Sequence, residues 1–138
     1  MSLFSSQGII LRIQKLKDKQ ELYTIFTREY GSIQVTRKYS QRNKPVDLGT
    51  IISSEIETKP ERDIHTIRNL KIRSQFDAQR ASFEMTHRFL LLLHYAYTHL
   101  PLGHSIPEVF EVLSELAKIQ SPETQDILLS QLKIMDIL

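Results

Sequence analysis

"ELYTIFTREYGSIQVTRKY", residues 21–39, decides the fold. Its first seven residues alternate Leu22, Thr24 and Phe26 with Tyr23, Ile25 and Thr27, and they are rich in β-branched and aromatic side chains. That period and composition predict a strand. "REYGS" follows as a turn, in which Gly31 can take the positive φ of a tight hairpin. "IQVTRKY" then puts Ile33 and Val35 on one face and Gln34, Thr36 and Lys38 on the other. Two such runs joined by a glycine turn read as a β-hairpin.

Period two persists on both sides of the hairpin. In "GIILRIQKL", residues 8–16, Ile9, Leu11 and Ile13 alternate with Ile10, Arg12 and Gln14, Ile10 being the one apolar exception. "KDKQ" at 17–20 is a polar turn. Downstream, Pro45 and Gly49 punctuate a loop. "TIISSEIET" turns Ile52, Ser54 and Ile56 inward and Glu55 and Glu57 outward, as a solvated strand face. "KPERD" is another turn, and "IHTIRNLKIR" is a fifth, less regular strand with Leu70 and Ile72 as its clearest alternating pair. Five short strands in about 70 residues predict a small closed barrel.

The period then changes. From Ala78 onward Met85, Phe89, Leu92 or Leu93, Ala96 and Leu100 fall at helical spacing, and Pro101 and Gly103 end that helix. "FLLLLHYAY" at 89–97 is apolar nearly all round, which suits a central helix or one with a side facing a partner. "SIPE" at 105–108 reads as a capping box for a second helix lined by Phe110, Leu113, Leu116 and Ala117. Ser121 and Pro122 open a third helix carrying Leu128, Leu132, Met135 and Leu138. The fold class is therefore a β-barrel plus α: a five-stranded barrel over residues 1–77 and a three-helix C-terminal domain over 78–138, with the boundary near Asp77.

Composition narrows the function. The 138 residues are 41% hydrophobic and 25% charged, an ordinary globular balance. With no cysteine there is no disulfide, thiolate zinc site or cysteine nucleophile. No signal peptide is visible, and 89–97 is too short to span a bilayer. These features predict a cytoplasmic protein with no membrane partner. No nucleotide-binding, hydrolase or metalloprotease motif occurs, and four glycines are too few for a phosphate-cradling loop. His87, His94, His99 and His104 cluster in sequence, but His87 and His94 lack the i, i+4 or i, i+3 spacing of helical metal ligands. The expectation is a non-enzyme without cofactor or metal.

Charge is uneven. Residues 1–77 hold 14 Lys+Arg against 9 Asp+Glu, net +5, whereas residues 78–138 hold 4 against 7, net −3. The densest basic run is "RKYSQRNK", residues 37–44, with Arg37, Lys38, Arg42 and Lys44, the aromatic Tyr39 and no acid. Surface charge runs are usually solvated. Here the run leaves the third strand of a small barrel, Arg28 ends the second, and Tyr23, Tyr30 and Tyr39 could offer stacking faces. Basic loops and aromatics on such a barrel are how OB-folds hold single strands. The candidate nucleic-acid-binding residues are Arg28, Arg37, Lys38, Tyr39, Arg42 and Lys44. An adaptor whose barrel is only a scaffold, and an RNA-binding barrel, are the competing readings.

"GIILRIQKLKDKQELYTIFTREYGSIQVTRKYSQRNK" resembles the opening of the bacterial RecO family of recombination mediators. Gly8, Leu11 and Arg12 match the family's first strand, Thr27, Glu29, Gly31 and Ile33 its hairpin, and Arg42 and Lys44 basic positions of its next run. "FLLLLHYAYTHLPLGHSIPEVFEVLSELAKI" is similar in layout to the start of its helical domain. Tyr39 and Pro45 replace a family glycine and serine. The resemblance implies a shortened, RecO-like protein without the zinc module. It also implies an OB-fold, single-stranded DNA binding, annealing or recombinase loading in DNA repair and recombination, and RecR and the single-strand-binding protein as partners.

Overall fold

The structure, a computed structural model, describes residues 2–17, 19–38, 46–58, 61, 63–75, 83–100, 103 and 106–118. Five strands, β1 (Ser2–Lys15), β2 (Gln20–Thr27), β3 (Gly31–Lys38), β4 (Ile51–Thr58) and β5 (Ile64–Ser74), precede two helices, α1 (Phe83–His99) and α2 (Pro107–Lys118). The strands close into a barrel in the order β1-β2-β3-β5-β4, antiparallel except for β3 with β5. This is an OB-fold-like barrel. The expected third helix, from Ser121, and the boundary near Asp77 lie outside the described residues.

The barrel interior is one apolar cluster containing Ile10, Tyr23, Ile25, Ile33, Val35, Ile52, Ile56 and Ile67. A second cluster lies outside the barrel wall, where Ile9, Leu11, Phe26 and Ile51 pack under Phe89, Leu92, Leu93 and Ala96 of α1 and Val109, Phe110 and Leu113 of α2. Ile10 is therefore no exception. It points into the barrel while its neighbours point to the helices, and a bulge between Ile10 and Arg12 returns the chain to register, bringing Ile13 against the interior. β2 is likewise covered on both faces, from Tyr23 to Thr27.

Two turns depend on glycine. Gly31 has φ 72 and starts β3, with the Thr27 hydroxyl donating to its carbonyl at 2.8 Å. Gly49 has φ 80, donates its N–H to the Ile10 carbonyl at 2.8 Å, and leaves room for the Phe89 ring. α1 ends as expected, just before Leu100. It is apolar on more than its buried side, as its sequence suggests: Leu90 and Leu91 are exposed, as is Phe83 at its start. Arg12 ties it to the barrel, donating to the Tyr97 hydroxyl with its guanidinium 5.0 Å from the centre of the Tyr97 ring. α2 begins at Pro107, a favoured first helical position. Phe110 and Leu113 are buried as expected; Ser105 and the side chains of Met85, Leu116 and Ala117 lie outside the described residues.

Candidate nucleic-acid interface

The β3–β5 ladder is short. Only Gln34, Val35 and Thr36 pair, with Ile64, His65 and Thr66, and the parallel strands then diverge. The gap they leave is a cleft of about 580 Å³ lined by Gln20, Thr36, Arg37, Lys38, Thr66 and Arg68, with Ile67, Asn69 and Leu70 completing it. Three cations, two hydroxyls and two amides converge there, and none of the lining residues is acidic. Such a set offers donors and positive charge to an anion, and phosphate oxygens accept from these groups.

Arg68 was not among the residues that the sequence singled out. It is placed by β4: its Nη2 lies 2.6 Å from Glu57 Oε2. Glu57 is buried and not, as its alternation suggested, part of a solvated face; the Arg68 side chain is 61% exposed. A guanidinium has five donors in a fixed fork, so an Arg anchored at one edge can present the rest outward. β5 is irregular for a specific reason. A three-residue step on β5, from Arg68 to Lys71, lies opposite the two-residue step from Ser53 to Glu55 on β4, and Asn69 takes φ 52. Asn is one of the few residues that tolerates this left-handed conformation.

Of the sequence-predicted site residues, Arg37 and Lys38 lie together in the cleft. Tyr39, Arg42 and Lys44 lie outside the described residues. Arg28 sits in the β2–β3 turn at the far end of the hairpin, about 20 Å along β3 from Arg37, where its Nη2 pairs with Glu111 of α2 at 2.9 Å. Tyr30 is at that far end too, against the Phe4 ring with centroids 4.4 Å apart. Tyr23 is 1% exposed and leaves no open ring face for a base. Its hydroxyl instead reaches the side chains of Arg37 and Glu21; burial pushes its ionisation up, against the opposing pull of Arg37.

Two hollows flank the cleft. One, of about 470 Å³, shares Gln20 with it and carries Lys15 and Lys19 near the β1–β2 turn, where Glu21 and Asp47 offset them. The other, of about 610 Å³, shares Asn69 and Leu70 with it and carries Lys71, Arg73 and Glu55. Among the described residues no group of three His, Asp or Glu could hold a metal ion, and no helix is long and apolar enough to cross a membrane. The chain matches no protein-family model and no curated protein.

Proposed function

We propose that this chain is a non-enzymatic protein that holds single-stranded nucleic acid by its phosphates in the cleft between β3 and β5. The observation that carries this reading is the convergence of Arg37, Lys38 and Arg68 in a cleft without a lining carboxylate, on an OB-fold-like barrel. Phosphate contacts of this kind position a strand without reading its sequence. The resemblance to RecO extends the reading to DNA repair and recombination in the cytoplasm, with RecR and the single-strand-binding protein as partners and a third helix after α2. On this reading Tyr39, Arg42 and Lys44 of the same basic run also contact the strand, Tyr39 by stacking on a base.

The test is a salt titration of single-stranded DNA binding by a variant with Arg37→Gln, Lys38→Gln and Arg68→Gln. Glutamine at 68 leaves a donor for Glu57. Each lost phosphate contact flattens the slope of log K against log salt by about 0.7, so the variant should lose about 2 units. Unchanged affinity and slope would remove the cleft from any nucleic-acid site. Parallel titrations with RNA of the same length separate the two nucleic acids. The adaptor reading rests on the exposed Phe83, Leu90 and Leu91 of α1, and it gains if the wild-type protein binds no nucleic acid.

A further inference from the structure

We infer that the strand's path does not end in the β3–β5 cleft. It continues over Asn69 into the groove between β4 and β5, where Lys71 and Arg73 hold a second set of phosphates. The inference rests on the nucleic-acid reading of the cleft and adds the extent and shape of its ligand: an extended single strand, neither a mononucleotide nor a duplex.

Three observations carry it. The cleft and the groove are contiguous, since Asn69 and Leu70 line both. Lys71 and Arg73 are exposed on the outer side of β5, while Leu70 and Ile72 between and beside them pack against the barrel interior. From Arg68 to Arg73 is five residues, about 17 Å of strand, so the cations of cleft and groove span several nucleotides. The path also crosses from β3 over β5 to β4, and adjacent strands in a sheet are rotated by about 20–25°. A single strand follows such a turn. A duplex, with a persistence length of about 150 base pairs, follows it only at an elastic cost that a single strand does not meet.

Glu55 fixes the register of that strand. It lines the groove at the junction, and its carboxylate accepts from the Asn69 side-chain amide at 2.9 Å. A phosphate is repelled there. The phosphates therefore fall on either side, on Arg68 and on Lys71 with Arg73, and a sugar or base passes the carboxylate.

The experiment compares oligothymidylates of about 4 and about 16 nucleotides, the range that one OB barrel occupies, by fluorescence anisotropy across a salt series. Lys71→Ala with Arg73→Ala, both at exposed positions, should weaken the long oligonucleotide more than the short one. For the long one it should flatten the salt slope by about 1.4 units, two contacts at about 0.7 each. Glu55→Gln keeps an acceptor for Asn69 and should tighten the long oligonucleotide more than the short one, a gain that a merely structural role would not produce. If the double variant matches wild type on the long oligonucleotide, or loses both lengths equally, the continued path is wrong and the cleft reading stands. If wild-type protein binds neither length, the cleft reading falls and this inference with it. Equal affinity for a duplex of the same length overturns the single-strand assignment.

Discussion

Gly49 and Phe89 should behave as one energetic unit. Phe89 is 1% exposed and wedged between α1 and the barrel wall. Burial of a side chain this size contributes several kcal/mol, and truncating one to alanine typically costs about 3–5 kcal/mol. Gly49 fails differently. A Cβ there sits 2.5 and 2.8 Å from two ring carbons of Phe89, at a backbone φ of +80. The left-handed backbone contributes about 1–2 kcal/mol of the cost of Gly49→Ala, and the clash about 1–3 kcal/mol more, the usual range for overpacking. In the double variant the ring is gone, so the clash is relieved while the backbone cost stays; Leu93, 3.3 Å from the same Cβ, keeps the site snug. The double variant should therefore be more stable than the sum of the single losses by about 1–3 kcal/mol. Urea unfolding at constant m measures it. A domain of this size has only about 5–15 kcal/mol to lose, so Phe89→Leu, which also lacks the ring edge, completes the cycle if the double alanine variant unfolds. Additivity within about 0.5 kcal/mol, or a Phe89→Ala loss below about 1 kcal/mol, would refute the docking of α1 on the 46–50 loop.

Tyr23 should make the barrel sensitive to alkali. Burial holds its phenol protonated in the fold, so stability is full below the ordinary tyrosine ionisation near pH 10 and falls as pH rises through the higher folded value. Tyr23→Phe should flatten that alkaline limb in thermal melts between about pH 8 and about pH 11, and superimposable limbs would contradict the assignment. Arg28→Ala, which breaks an exposed ion pair with Glu111, should change stability by no more than about 1 kcal/mol and leave the salt slope of strand binding intact. A flattened slope would put Arg28 back on the strand's path.

The barrel was legible because hairpins write themselves locally. Alternation in β2 and β3 and the single glycine turn between them required no knowledge of what packs where. What the sequence concealed were the places where two surfaces compete for one strand. "GIIL" reads as alternation with a flaw because both faces of β1 are covered, the interior claiming Ile10 and the helices claiming Ile9 and Leu11; a strand buried on both sides loses its period. Glu57 looked solvated for a related reason. Its alternation with Ile56 is genuine, but its partner Arg68 lies 11 positions along the chain on a different strand, and no local pattern announces a pair across a bulge. The candidate site was half legible. The density of cations at 37–44 drew attention to the end of β3, and Arg37 and Lys38 do line the cleft. Arg28 is close to them in sequence but at the opposite end of a hairpin. The signal for Arg68 was available only as a basic residue on an irregular strand.

That irregularity links fold and site. Ile67 points into the barrel. With strict alternation positions 69, 71 and 73 would point there too, and Lys71 and Arg73 would stand in an apolar interior where an unpaired charge is prohibitively costly. One extra residue at Asn69 resets the count. Leu70 and Ile72 then face the core, and Lys71 and Arg73 face out. Bulges also bend a strand and increase its twist. This one follows directly on the end of the β3–β5 ladder, where the cleft opens. Asn suits the position because the left-handed backbone there excludes most side chains, and because its amide can hold Glu55. A single left-handed residue thus keeps the core apolar, accompanies the opening of the cleft and puts the remaining cations of β5 on the side where an anionic strand could reach them.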